Sequence, residues 1–92
     1  MLITLSSTNG NRQTIVQYAN TLKEKGFQVS SILTIEHPSV DNRYPEYLFT
    51  MVINSADEIF NISKILGKEL IISRYPMVEG THEIEIYDDY RE

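Results

Sequence analysis

The side chains that could do acid–base or metal chemistry are few in this chain. It holds two histidines, His37 and His82, and no cysteine. Without cysteine, disulfides, thiolate zinc sites and thiol nucleophiles are excluded. The histidines lack a metal-ligand spacing such as His-x-x-x-His, so we expect no metal and no cofactor. A Ser-His-Asp relay forms in space rather than in sequence, but no serine is marked as a nucleophile. A catalytic site would need His37 and His82 in one pocket, and we therefore predict that the chain is not an enzyme.

A polar turn at residues 6–11, SSTNGN, precedes the first predicted helix. Free backbone N–H groups and the helix dipole at such a place can hold an anion. The candidate ligand-binding residues are therefore Asn9, Gly10 and Asn11. The alternative, which the sequence favours, is an ordinary capped turn built on the Asn-Gly pair.

The acidic residues are concentrated at the C-terminal end of the chain. Residues 79–92 hold six acids and one base, which accounts for the whole net charge of −5. Nucleic-acid phosphates need clustered Lys and Arg, so we expect no nucleic-acid partner. We interpret residues 82–92 as a charged strand that protects a sheet edge, or alternatively as a strand that docks on a basic protein. The docking residues would be Glu83, Glu85, Tyr87, Asp88 and Asp89.

The elements that must position these residues follow from apolar periodicity. Residues 12–25 have helical spacing, with cations in the final turn and Gly26 just beyond it. A second amphipathic helix follows a capping box formed by Ser55 and Glu58 and ends at Gly67. Alternation of apolar and polar residues predicts strands at residues 27–36 and 82–87. Apolar runs predict further strands at residues 1–5, 46–54 and 69–73.

This order of elements predicts an α+β fold in one domain, residues 1–92. Each helix has one apolar stripe, so both should cover one face of a mainly antiparallel sheet. The expected architecture is a ferredoxin-like β-α-β-β-α-β sandwich with an extra C-terminal strand. Two helices cannot cover the second face of the sheet, whose apolar residues predict a homodimer interface. Those interface residues are Ile32, Leu48 and Val52.

Composition places the chain in an ordinary class. It has 92 residues, of which 41% are hydrophobic and 23% charged, and these fractions are typical of a globular domain. No apolar run approaches the ~20 residues of a membrane span, and the first residues lack the pattern of a signal peptide. We therefore expect a soluble cytoplasmic protein without a membrane partner.

Three stretches of the chain together resemble an ACT domain. The first runs from Asn9-Gly10 through the first helix and Gly26 to Ser31-Ile32. The second runs from Val52 through the second helix, and the third is the strand from Glu69 to Ile72. ACT domains are small ferredoxin-like modules that sense amino acids and related metabolites. The resemblance, over residues 1–74, implies a dimer with small molecules near its interface and with Asn9, Gly10 and Asn11 close to the ligand.

The predicted function is that of a small non-catalytic binding or regulatory module. We expect it to form a homodimer and to sense a small metabolite. The alternative is an acidic adaptor or inhibitor that docks on a basic protein through its C-terminal strand. Loss of partner binding on removal of residues 82–92 would distinguish the adaptor from the sensor.

Overall fold

The computed structural model describes residues 1–35, 46–73 and 80–88, to which all structural statements refer. It is an α+β fold with two helices and a six-strand mixed sheet. Neither described helix is long and apolar enough to cross a membrane. In chain order the elements are β1 (Leu2–Ser7), α1 (Arg12–Glu24), β2 (Gln28–Val29), β3 (Leu33–Ile35), β4 (Glu46–Val52), α2 (Glu58–Leu66), β5 (Leu70–Ile72) and β6 (His82–Ile86).

The sheet has the strand order β2-β4-β1-β6-β5, and β3 also pairs with β4. Most neighbouring strands are antiparallel, as predicted, including β1 with β4 and β5 with β6. The exception is the parallel pair of β1 and β6. This parallel pair brings the carboxyl ends of β1 and β6 to the same edge of the sheet.

Helix α1 begins where the polar turn predicts it. Asn11 is the N-cap, and its side chain accepts hydrogen bonds from the backbone N–H groups of Gln13 and Thr14. These bonds satisfy donors that have no partner within the helix itself. The helix buries the apolar stripe that its spacing predicts, which consists of Ile15, Ala19 and Leu22.

Helix α2 begins differently from the predicted capping box. The N-cap position is Asp57 rather than Ser55, and the Asp57 side chain makes no capping bond. Glu58 does reach back as the capping box predicts, but to the residue before Ser55: its Oε1 accepts from the backbone N–H of Asn54 at 2.8 Å. Gly67 ends the helix as predicted, with a φ of 67° that glycine adopts without a side-chain clash.

The core lies between the two helices and one face of the sheet. Along β4 and just after it, Phe49, Met51 and Ile53 face the helices, and each is at most 1% exposed. Burial of such side chains is the main force that holds a layer of helices on a sheet. The remaining buried members of this cluster are Ile3, Leu5, Ile15, Ala19, Leu22, Ile62, Ile84 and Ile86.

The predicted second strand is divided into β2 and β3 by one extra residue. Val29 pairs with Met51 whereas Leu33 pairs with Leu48, so one strand advances four residues while its partner advances three. Such a β-bulge moves every later side chain to the opposite face. Leu33 therefore shares a face with Leu48, and Ile32, which the sequence placed on that face, packs against the core instead.

The interpretation of the C-terminal segment as an edge strand is wrong. β6 lies between β1 and β5, and its residues Ile84 and Ile86 have no exposed surface. Their alternation supplies the apolar row that an internal strand needs on the helix side. Because both edges of β6 pair with neighbours, a partner strand cannot add to it.

Candidate functional site

The first candidate site is a polar cluster at the shared carboxyl ends of β1 and β6. Ser7 closes β1, Thr8 follows it, and Asp88 lies two residues beyond β6. The backbone N–H of Thr8 donates to the carbonyl of Ile86 at 3.0 Å. Thr8 Oγ1 also donates to the Asp88 carbonyl at 2.6 Å and accepts from the Asp88 N–H at 2.8 Å. These bonds fix the backbone of Asp88 against β1.

The Asp88 carboxylate is the centre of this cluster and is 7% exposed. Its Oδ2 accepts from Ser7 Oγ at 2.5 Å, and its Oδ1 accepts from the Tyr18 hydroxyl at 2.6 Å. Lys68 Nζ lies 3.0 Å from the same Oδ1. Ser7 Oγ is also 2.9 Å from Asn9 Oδ1, but its single proton favours the shorter bond to the charged carboxylate. We call Ser7, Thr8, Tyr18, Lys68 and Asp88 the Asp88 cluster.

The electrostatics of the Asp88 cluster follow from these bonds. Burial by itself raises the pKa of Asp88, but the hydrogen bonds from Ser7, Tyr18 and Lys68, with the Lys68 charge, outweigh it and lower the pKa overall. Burial raises the pKa of Tyr18, and its hydrogen bond to the negative Asp88 raises it further. Asp88 is therefore ionised and Tyr18 neutral across the ordinary pH range.

This arrangement suits a structural role better than catalysis. Nucleophilic attack by Ser7 would need a base to accept its proton, and the lowered pKa makes the Asp88 carboxylate a poor base. The Ser7 side chain is itself buried, which leaves little access for a substrate. The cluster joins β1, α1, β6 and the segment after α2 through a single carboxylate.

The predicted ligand-binding turn is occupied by its own side chains. Asn9 Oδ1 accepts from the Asn11 N–H at 2.9 Å, and Asn11 Oδ1 caps α1. The Gly10 N–H donates to the Ser7 carbonyl, and its φ of 69° is one that glycine adopts readily. These bonds are those of the ordinary capped turn that the sequence favours.

The second candidate site is an apolar groove between α2 and β5. It has a volume of about 340 Å³. Phe60, on the outer side of α2, is 73% exposed, and Ile72 on β5 is 64% exposed. Its lining residues, which we call the α2–β5 groove, are Ala56, Ile59, Phe60, Ser63, Glu69, Leu70 and Ile72.

A further groove of about 680 Å³ lies beside the end of α1 and the start of α2. Lys25, Asn61 and Gln28 line it together with the apolar residues Phe27 and Ile65. It is wide and open, and Lys25, Gln28 and Asn61 are exposed. Binding sites for small molecules are usually enclosed by an apolar lining, and this groove lacks that character.

The predicted dimer residues do not share one exposed face. Ile32 packs against the core, and Leu48 is only 2% exposed although it points away from the helices. Of the three, Val52 presents substantial surface, at 46% exposed. The bulge between β2 and β3 separates Ile32 from the other two.

The predicted docking residues are also divided. Glu83 and Glu85 lie on the sheet face opposite the helices, where they pair in register with Thr4 and Ser6. Tyr87 is 48% exposed, whereas Asp88 is buried and bonded within its cluster. Asp89 lies outside the described residues.

Of the two histidines that a catalytic site would need, the structure describes one. His82 is exposed at the start of β6, and His37 lies outside the described residues. Among the described part of the chain no three His, Asp or Glu residues form a possible metal site.

Sequence reasoning missed both candidate sites. The sequence places Asp88 only within the charged C-terminal segment, because its partners Ser7 and Tyr18 lie 81 and 70 residues away along the chain. The α2–β5 groove does have a signal in the sequence, because Phe60 falls outside the apolar stripe that begins with Ile59 and Ile62. A large apolar residue away from the buried stripe of a helix is expected to be exposed.

Comparison of the chain with protein-family models, curated proteins and solved structures finds no match. The comparisons do not bear on the ACT-like resemblance, which stays a prediction. The function is therefore argued from the contacts and surfaces of this chain.

Proposed function

We propose that this chain is a small non-catalytic binding module that associates with protein through the α2–β5 groove. The observation that carries the proposal is the pair of adjacent exposed side chains Phe60 and Ile72, which are 73% and 64% exposed. Single exposed apolar residues are common on protein surfaces, but grouped ones mark interaction sites. Covering this pair with a partner would remove apolar surface from water and stabilise the complex.

The position of β5 supports the same proposal. β5 is the last strand in the described sheet order, so one of its edges has no neighbouring strand among the described residues. A partner can therefore add backbone hydrogen bonds at β5 while its side chains enter the α2–β5 groove. Ile71, which is 42% exposed on the opposite face of β5, extends the apolar surface around that edge.

The non-catalytic part of the proposal is supported by the Asp88 cluster. Its hydroxyl, carboxylate and ammonium groups bond to one another rather than pointing into a groove. Neither groove contains a member of this cluster. Catalysis requires such groups to converge on a pocket that admits a substrate.

The proposal takes the fold to be a ferredoxin-like sandwich extended by one inserted strand. Its first half supports this view, because β4 lies between β1 and β2 and α1 connects these two strands. In the simple sandwich the strand after α2 would lie beside β1. Here β6 occupies that place and β5 lies one position further out.

Site-specific photo-crosslinking in cells that produce the full chain tests this function. A benzoylphenylalanine in place of Phe60 should form a covalent adduct with whatever protein covers the groove. The same probe in place of Asn20, which is exposed on α1, provides a matched control. We expect an adduct from position 60 that disappears when Ile72→Asp is introduced into the same chain.

Two results would contradict the proposed function. One is the absence of any adduct from position 60. The other is an equal yield from positions 60 and 20, which would indicate random collisions. The mass of a specific adduct identifies the kind of partner.

A further inference from the structure

We propose that the partner is a second copy of this chain, joined by antiparallel pairing of β5 with β5 across a twofold axis. This inference rests on the proposed function of the α2–β5 groove. In the resulting dimer the two sheets form one continuous sheet, and each groove is closed by the other copy.

The backbone of β5 has the geometry for this pairing. The Ser73 N–H donates to Glu83 and the Glu69 carbonyl accepts from Tyr87, so residues 69 and 73 turn their backbone groups toward β6. Hydrogen-bonding direction alternates along an antiparallel strand. Leu70 and Ile72 therefore direct their N–H and C=O groups away from β6, toward the side of β5 that has no neighbouring strand among the described residues.

A twofold axis through Ile71 lets all of these outward N–H and C=O groups form hydrogen bonds with the second copy. Leu70 of one copy then lies opposite Ile72 of the other, and the two symmetric pairs form about four backbone hydrogen bonds. Ile71 meets Ile71 of the second copy as a non-hydrogen-bonded pair, in which side chains come close. A self-complementary patch of this kind is what a twofold interface requires.

The apolar side chains lie on the correct faces for this register. Leu70 and Ile72 pair with Ile86 and Ile84, which belong to the core, so their side chains lie on the helix side of the sheet. Phe60 borders the groove on that same side. The twofold places Phe60 and Ile72 of both copies together, as a continuation of the core across the interface.

The charges around the groove favour a second copy over an unrelated partner. Helix α2 carries Asp57 at its N-cap position and Lys64 in its last turn. The twofold makes the two α2 helices antiparallel, so the acidic start of one faces Lys64 of the other. On β5, Glu69 lies opposite Ser73 rather than another acid. Like charges on facing strands, which would destabilise the pair, are thus avoided.

Oligomeric state tests the inference with a matched pair of variants. We expect the full chain to sediment as a dimer, Ile72→Asp to become a monomer with an unchanged circular dichroism spectrum, and Val52→Asp to remain a dimer. Val52 is also apolar and exposed but lies on β4, away from the groove. A full chain that stays monomeric at millimolar concentration, or an Ile72→Asp variant that stays dimeric, would overturn the proposal.

A cysteine at position 71 tests the register independently of the stability of Ile72→Asp. The chain contains no cysteine, so Ile71→Cys introduces a single thiol. At the twofold the two thiols are close enough for a disulfide, whose Cα atoms are usually about 4.4–6.8 Å apart. We expect mild oxidation to link Ile71→Cys chains in pairs and to leave Leu2→Cys, exposed on β1, unlinked. Equal linking of both variants would overturn the register.

The photo-crosslinking experiment separates this inference from the proposed function. An adduct from position 60 with twice the mass of the chain supports both. A specific adduct with a different protein retains the proposed function but contradicts the second copy. No adduct contradicts both.

Discussion

The Asp88 carboxylate connects four segments of the chain, so its removal should destabilise the fold. Asn at this position keeps the shape but removes the charge that Lys68, Ser7 and Tyr18 bind. Hydrogen bonds to charged groups contribute about 1.5–3 kcal/mol each, with large variation between sites. We expect Asp88→Asn to lower the free energy of unfolding at pH 7 by about 2 kcal/mol, measured by urea denaturation.

The pH dependence of the same variant gives a sharper test. The pKa of Asp88 is lowered in the folded chain, so the unfolded chain binds the proton first as the pH falls. The stabilisation is therefore complete above the unfolded pKa, about 3.9, and is lost as the pH falls through the folded value. The difference in the free energy of unfolding between Asp88→Asn and the parent chain should decrease at acid pH. A difference in the free energy of unfolding that stays constant with pH would contradict the proposed role of the cluster.

The hydrogen bond of Tyr18 should make stability depend on pH in the opposite direction, with a loss of stability at high pH. Its pKa is raised in the folded chain by burial and by Asp88, so the folded state holds its proton more tightly. This stabilisation is complete below the unfolded pKa, about 10, and is lost as the pH rises toward the folded value. We expect Tyr18→Phe to be less stable than the parent at pH 7 and to lose less stability between about pH 9 and 11. An equal loss of stability in Tyr18→Phe and the parent over this range would contradict the bond between Tyr18 and Asp88.

At the scale of the elements, one face of β4 carries both a buried and an exposed apolar side chain, so substitutions at the two positions should differ in their effect on stability. Leu48 is 2% exposed and Val52 is 46% exposed, although both point away from the helices. A buried unpaired carboxylate is strongly unfavourable. We expect Leu48→Asp to lower the free energy of unfolding by more than about 3 kcal/mol, and Val52→Asp to change it by less than about 1 kcal/mol. Thermal unfolding followed by circular dichroism measures both; a well-folded Leu48→Asp variant would show that this position is open surface.

The local elements could be predicted because their signals lie within a few residues of each other. The Asn11 cap, the buried stripe of α1 and the alternation of β4 are all properties of short windows. The bulge has a local cause that alternation alone does not reveal. Ser30 Oγ accepts the Thr50 N–H at 2.9 Å in place of a backbone carbonyl, and the register advances by one residue beyond it.

The position of β6 could not be read from local patterns. The alternation around Ile84 and Ile86 fits either an edge strand or an internal strand with one apolar row. The choice depends on whether β5 leaves a place beside β1, which is a property of the whole sheet. The Asp88 cluster depends on the same choice, because the parallel pairing of β6 with β1 is what brings Asp88 to Ser7.

At the scale of the whole molecule, net charge opposes the association of two copies. Each chain carries a formal charge of −5, and the radius of gyration of 12.7 Å places two centres roughly 25 Å apart. In water the unscreened repulsion at that distance is about 4 kcal/mol. With Debye lengths of about 30 Å at 0.01 M salt and 10 Å at 0.1 M, the repulsion falls to about 2 and then below about 0.5 kcal/mol.

This repulsion predicts the direction of the salt effect on the proposed dimer. The apolar contacts of Phe60 and Ile72 do not weaken with salt, and exposed ion pairs such as Lys64 with Asp57 of the second copy contribute less than about 1 kcal/mol. The dimer dissociation constant should therefore decrease about tenfold between 0.01 M and 0.1 M salt, as measured by sedimentation equilibrium. Glu24→Gln combined with Asn20→Lys, both exposed on α1, makes the net charge less negative by two and should reduce the effect.

The same measurement separates the dimer from the alternative of an acidic adaptor. A complex of the acidic C-terminal segment with a basic protein is held by attraction, which salt screens, so its dissociation constant should increase with salt. A dimer held at the α2–β5 groove shows the opposite sign because salt removes a repulsion. Self-association that weakens as salt increases would therefore argue against the apolar groove and assign the interface to charged residues instead.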